Sequence, residues 1–285
     1  MHPTALPSKY GIGDFGETSR SFIDFLNESS TNIWQVLPLG LTSLDEFSPY
    51  SSPSSILGNR YLVDIEKLTK YENIDIVSPQ FSNDYVQYKD VYKFKDDIFK
   101  NASKNINLQD KIFSSFLDES LIRKHITFLI LKDLNQKSWN EWDNIYQEYS
   151  DDLFDKLFIE NTELVNFHVL TQYEFFNQWK SLKKYANDKN VKILGDIPIY
   201  VNHDSADVWL NKEMFELDET GNMELVSGAV PDSFNTEGQI WGNALYRWDL
   251  HNEDNFKYWK EKLNKSLDLY DYLRIDHFIG FFKYW

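Results

Sequence analysis

Cysteine is absent from all 285 residues. That excludes a disulfide framework, a thiolate metal site and a cysteine nucleophile, and it fits a cytoplasmic protein. No apolar run approaches the roughly 20 residues that span a bilayer. The opening Met1-His2-Pro3-Thr4 lacks the basic segment and apolar core of a signal peptide. Basic charge is short as well: 29 Lys and Arg stand against 45 Asp and Glu, a net charge of −16. Such a surface repels a phosphate backbone, so neither nucleic acid nor membrane is expected as a partner, whereas a neutral substrate is compatible. There is no fixed-period repeat, no linker, and no G-x-S-x-G elbow to support serine hydrolysis.

What the chain has in excess is aromatic surface. Nine Trp, 17 Tyr and 21 Phe make up 16% of the residues, and such rings suit stacking on sugars as well as packing. The length and a 42% hydrophobic fraction allow one large α/β barrel or two smaller domains.

Along the chain, Phe22, Ile23, Phe25 and Leu26 have helical spacing, and Ile33 to Pro38 reads as a short buried strand. The Ser/Pro cluster from Ser48 to Ser55 reads as an ordered loop after that strand, where α/β folds keep ligand sites. From about 61 to 166 the composition turns helical, which predicts an inserted helical subdomain. Val191 to Val201 is the clearest strand, with Ile197, Ile199 and Val201 on one face and Asp196 on the other. A Gly-, Asn- and Asp-punctuated segment, about 202–248, is too long for an ordinary connection, and its aromatics argue against disorder. A helix over about 254–269, with Phe256, Trp259, Leu263 and Leu267 on one stripe, leads into a strand around Ile275.

That strand carries the most suggestive chemistry. Alternation puts Arg274 and Asp276 on one face, and a guanidinium beside a carboxylate favours the ionised acid that a nucleophile requires. Asp196 is a second carboxylate near the C-terminal half of a predicted parallel strand, where barrel enzymes hold their reactive groups. Trp241, in a glycine-flanked stretch, has no periodic reason to be core. Two other patterns reduce to local structure. Gly11-Ile12-Gly13-Asp14-Phe15-Gly16 matches G-x-G-x-x-G, but Pro3 and Pro7 occupy the place of the strand that would precede it, so a glycine-rich turn ahead of a helix is expected. His203-Asp204-Ser205-Ala206-Asp207 lacks a second cluster to complete a metal site, and Asp204 or Ser205 reads as a helix N-cap.

Together, these blocks resemble the 4-α-glucanotransferases of the amylomaltase (disproportionating enzyme) type, glycoside hydrolase family 77. The resemblance runs through His2 to Pro7 with Gly11 to Asp14, Trp34 to Gly40, Ser48-Pro49-Tyr50, Gly58 to Leu62, Gly195 to Val201, His203 to Trp209, Pro231 to Phe234, Gly238 to Asn243 and Arg274 to Phe278. It implies a (β/α)8 barrel that cleaves an α-1,4 link of a maltodextrin and passes the glucosyl chain to a glucose-terminated acceptor, with retention and without cofactor or metal. By that resemblance Asp276 is the nucleophile, with Arg274 as its partner. Asp196 and His277 bind the sugar, Tyr50 is its stacking platform, and Trp241 and Asp232 belong to a lid on the acceptor side. The chain departs from the family at Asp45, where a tyrosine of a secondary glucan site is often found.

The family's acid/base glutamate lies on a strand beyond the one ending at His277. The expectation is therefore the N-terminal portion of one catalytic domain over 1–285, an incomplete barrel of about four strands, near Met1, Trp34, Ile197 and Ile275. Such a portion would expose strand edges and apolar faces. The alternative is a non-catalytic or vestigial glucan-binding fragment.

Overall fold

The structure, a computed structural model, describes residues 1–43, 46–71, 74–77, 79–231, 233 and 235–282. Its centre is a parallel sheet of β1 (Ile33–Gln35), β2 (Lys192–Pro198) and β5 (Tyr272–Asp276), with β2 in the middle. Trp34 pairs with Ile193, and Asp196 pairs with Arg274. Parallel strands need long crossovers. Every described regular element between β1 and β2 is helical: α2 (Tyr88–Ser103), α3 (Lys111–Leu117), α4 (Ser120–Asn135), α5 (Asp151–Glu160), α6 (Thr162–Asp188) and short 3-10 turns. Between β2 and β5 come α7 (Ala206–Leu210), an antiparallel hairpin of β3 (Val226–Ala229) and β4 (Gln239–Ala244), α8 (Trp248–Glu253) and α9 (Lys257–Leu269). No described helix is long and apolar enough to cross a membrane.

The first helix, α1 (Glu17–Glu28), begins at Gly16 as its N-cap, so the glycine-rich segment is the expected turn. The strand anticipated near Met1 is absent among the described residues. Pro3 instead opens a 3-10 turn through Ala5, since proline fixes φ and donates no ladder hydrogen bond. The Met1 carbonyl nevertheless meets the sheet, accepting from Trp34 Nε1 at 2.6 Å.

One continuous cluster of buried side chains runs from Leu6 to Tyr270 and joins helices to strands. The 27-residue α6 is its spine. Gln172 accepts from the Gly58 amide at 2.9 Å and donates to the Gly58 carbonyl at 3.0 Å, while Gln178 grips the Asp64 amide and carbonyl in the same way. Buried amides that satisfy a loop's backbone in pairs fix it as firmly as a strand would.

Two boundaries differ from the sequence reading. β2 ends at Pro198, and Ile199 and Val201 are buried beyond it without being strand. α9 turns Tyr258, Trp259, Lys262 and Ser266 inward with Leu263 packed against the core, so Trp259 and Leu263 of the anticipated stripe face inward whereas Phe256 and Leu267 are exposed. A left-handed Phe256 ahead of the helix takes that ring out of the helical pattern.

Candidate active site

The C-terminal ends of β2 and β5 bring three charged groups into one chain of contacts. Period-2 alternation and the parallel register put Asp196 and Arg274 on the same face at paired positions. Arg274 Nη1 donates to Asp196 Oδ2 at 2.6 Å, and Nη2 donates to Asp276 Oδ1. The guanidinium is thus clamped between two carboxylates. They raise its pKa against the desolvation that opposes them. Asp196 is 1% exposed, whereas the side chains of Arg274 and Asp276 are 46% and 40% exposed. The buried carboxylate therefore anchors the cation from below, and the second faces the open side.

Tyr50 reaches the same carboxylate, its hydroxyl donating to Asp196 Oδ2 at 2.8 Å. Burial, then the neighbouring Asp196, push its phenol up to about 12, so it acts as a donor across the neutral range. Its loop is ordered by its own serines. Ser54 Oγ accepts from the Ile56 and Leu57 amides and contacts His125 Nδ1 at 2.8 Å, and the Ser55 amide donates to Asp207 Oδ2 at 2.8 Å. The Ser/Pro cluster is therefore the ordered loop that the sequence predicts.

β5 stops because His277 takes a left-handed backbone, φ +53°, a conformation that costs a non-glycine residue energy and tends to occur at functional sites. The turn presents the imidazole edge-on to Trp241 at 4.7 Å between ring centroids, with Tyr200 6.2 Å from His277 and 6.3 Å from Trp241. Trp241 stands on β4 and is 38% exposed. Gly280 lies behind this group; a Cβ there would come within 3.0 Å of the His277 ring and 2.9 Å of the Tyr200 hydroxyl.

Of the seven residues singled out from sequence, Asp276, Arg274, Asp196 and Tyr50 form one bonded chain, and His277 and Trp241 touch beside it. Asp232 lies outside the described residues, as does Asp45. The His203 to Asp207 segment is a packing hub. Ser205 caps α7, Asp204 pairs with Lys132, and His203 Nε2 meets the Gly221 carbonyl at 2.7 Å. Tyr200 was passed over because it was assigned to the strand; its position one residue past the buried Ile199 was the available signal. The large cavities lie elsewhere. One of about 860 Å³ sits between the turns around Tyr10 and Tyr85, while Asp196 lines one of about 50 Å³ with Pro198, Lys262 and Tyr270.

A carboxylate beside an arginine, a second carboxylate beneath it and an aromatic wall is an arrangement able to hold a sugar ring and attack its anomeric carbon. Comparison with known proteins finds relatives along the whole chain. The family profile described as 4-alpha-glucanotransferase, glycoside hydrolase 77, matches residues 1–285. The 4-alpha-glucanotransferase of Clostridium butyricum is 41% identical over 295 residues, covering 100% of this chain and 60% of that protein. That of Thermus thermophilus is 37% identical, covering 100% of this chain and 58% of its own length. Among solved structures, amylomaltase from Streptococcus agalactiae in complex with acarbose superposes with a TM-score of 0.89 at 36% identity, over 100% of this chain and 60% of the other. The chain thus spans about 60% of the length of the relatives it matches.

Proposed function

The chain belongs to the 4-alpha-glucanotransferase family, glycoside hydrolase 77, and from that premise we propose that it acts in transferring α-1,4-glucan segments between maltodextrins. In this reading the three parallel strands are part of a (β/α)8 barrel, the helical stretch of about 61–166 is an insertion, and about 202–248 is a lid. Asp276 is the nucleophile of a retaining mechanism: its carboxylate bonds to the anomeric carbon while the glycosidic bond breaks and the leaving oxygen is protonated by an acid that, by the family resemblance, is a glutamate on a strand beyond the one ending at His277. Arg274 orients it. Asp196, His277 and Tyr50 hold the donor sugar, and Trp241 and Asp232 cover the acceptor side, where excluding water favours a sugar hydroxyl over hydrolysis.

The observation that carries this reading is the single guanidinium of Arg274 joining Asp196 and Asp276 across the β2–β5 ladder. The amylomaltase of similar structure binds acarbose, a compound that fits a site for α-linked glucose. Retaining transfer also needs a carboxylic acid roughly 5–5.5 Å from the nucleophile. Asp196 is unsuited to that part, because its Oδ2 already receives Arg274 and Tyr50. The test is incubation of the chain with maltotriose. Glucose appearing together with longer maltodextrins supports transfer, and its loss in Asp276→Asn assigns the nucleophile. Glucose and maltose alone would contradict transfer.

A second reading, glucan binding without transfer, is favoured by the exposure of Asp276, 40% open where water exclusion would aid transfer. Acarbose binding with no turnover of maltotriose would support it.

A further inference from the structure

Pro198 sits opposite Asp276 in the β2–β5 register. Proline has no N–H, so β2 lacks a backbone donor here; the alternation set by Val36 N–H to the Leu194 carbonyl and Asp271 N–H to the Ile193 carbonyl turns this position towards the β1 side, and its carbonyl is not part of the β5 ladder. The carbonyls at this strand end find their donor on α9. Lys262, on α9 and 3% exposed, donates Nζ to the Pro198 carbonyl at 3.1 Å and to the Ile199 carbonyl at 3.4 Å. Tyr246 adds its hydroxyl to the Ile199 carbonyl at 2.7 Å. The segment so held leads directly to Tyr200, whose ring meets Trp241 and His277. A buried ammonium is costly, and Trp259 offers only a ring face 4.7 Å away, so the carbonyls at the end of β2 are the principal partners this lysine has found.

We propose that Lys262 is a positioning residue of the transfer site: from α9 its ammonium fixes the C-terminal end of β2 at the ladder position of Asp276. The inference rests on the glucanotransferase reading for its consequence, but not for the anchor itself. The charged and titratable groups around this amine are Asp207 on α7, Tyr258 on its own helix, Tyr246 after β4, His125 on α4 and, across the small cavity, Asp196 and Tyr270. Lys124, Glu213, Asp254, Lys257 and Glu261 line the more open cavity that Lys262 shares with His125 and Asp207. Burial pushes the amine down to about 8, with Asp207 opposing. As pH rises through about 8 the ammonium is lost and the grip weakens. Its effect on global stability has the opposite sign. Between about 8 and the ordinary lysine value the unfolded chain binds the extra proton, so this group favours folding more as pH rises. Loosening of the site above pH 8 is therefore separable from unfolding.

Hydrogen exchange on the full 285-residue chain tests this. With Lys262→Met, amides over 199–202 and 276–278 should exchange about tenfold faster at pH 7 while those of α4 and α6 are unchanged. Lys262→Arg should restore protection. In the unaltered chain the same amides should lose protection between pH 7 and 9.5, after correction for intrinsic exchange, and in the arginine variant they should not. That pH series decides the matter even if the methionine variant does not fold. Uniform acceleration, no acceleration, or a pH dependence shared by the arginine variant would each overturn the proposal. Acarbose affinity reads the consequence: about a fivefold loss with methionine, recovered with arginine, is expected, and an unchanged affinity would overturn the positioning role. Failure of the unaltered chain to bind acarbose would count against the glucanotransferase reading, leaving the anchor to the exchange result.

Discussion

Arg274 Nη1 lies 2.6 Å from Asp196 Oδ2, and the two residues are register partners in the β2–β5 ladder. A half-exposed guanidinium thus satisfies a carboxylate that is 1% exposed, while its other nitrogen meets Asp276. Replacing it strands the buried charge. Arg274→Gln is expected to lower stability by about 1–3 kcal/mol, since a buried group left unpaired carries its full desolvation cost. Urea denaturation measures the first effect, and maltotriose turnover is expected to fall below detection. Arg274→Lys, which cannot span both carboxylates, should recover part of the stability and little of the turnover.

Tyr50→Phe keeps the ring and deletes the hydroxyl donated to Asp196. The loss of one hydrogen bond to a charged acceptor is worth about 1.5–3 kcal/mol. Acarbose binding by calorimetry is expected to weaken, with maltotriose turnover falling in parallel. An unchanged affinity would remove Tyr50 from the site.

Trp241→Ala removes an aromatic that is 38% exposed and rests on His277 rather than in the core. Stability should stay within about 0.5 kcal/mol, as for surface changes generally. The ratio of transfer to hydrolysis on maltotriose should fall, read as free glucose without matching longer products. A large loss of stability would instead make Trp241 a packing residue.

Gly195 lies under the ring of Tyr270, and a Cβ there would overlap it. Tyr270 is itself held, accepting from the Leu39 amide at 3.2 Å. Gly195→Ala should cost about 1–3 kcal/mol through overpacking, seen as a lower urea midpoint. Tyr270→Leu in the same chain should recover part of it.

His125 is buried against Ser54, and burial lowers its pKa, with Asp207 opposing. The folded chain keeps this ring neutral where the unfolded chain protonates it. Its contribution to stability is therefore present above the ordinary histidine value and is lost as pH falls towards the folded pKa. The slope from one such group is at most about 1.4 kcal/mol per pH unit. Urea midpoints at pH 7 and pH 5 should differ less in His125→Asn than in the unaltered chain.

Asp196, Arg274 and Asp276 were legible in the sequence because strand alternation is local: the residues that share a face can be counted. Their pairing across the ladder is not local, and it emerged only with the register Asp196↔Arg274. β3 and β4 escaped notice for a related reason. The bulge between Val226 and Gly228, and Gly242 with φ +71°, interrupt the alternation by which a strand is read. Nothing in the sequence singles out Lys262, since a helical lysine usually faces solvent. Its burial depends on carbonyls that β2 brings from 63 and 64 residues away. The strand expected near Met1 came from family resemblance, and Pro3 turns the backbone there instead.

The register also sets an order of events on the ribosome. Ile33 pairs with Lys192, a separation of 192 − 33 = 159 residues. At about 5–20 residues per second, β1 waits on the order of 8–30 s for its neighbour to be made. During that interval α2 to α5, whose contacts are shorter in range, have time to form, and α6, which ends at Asp188, is completed just ahead of β2. The sheet that carries Asp196, Arg274 and Asp276 is then completed by β5 against a helical body already made. Slowed translation through the α2–α6 stretch would therefore lengthen the exposure of Trp34 and its strand.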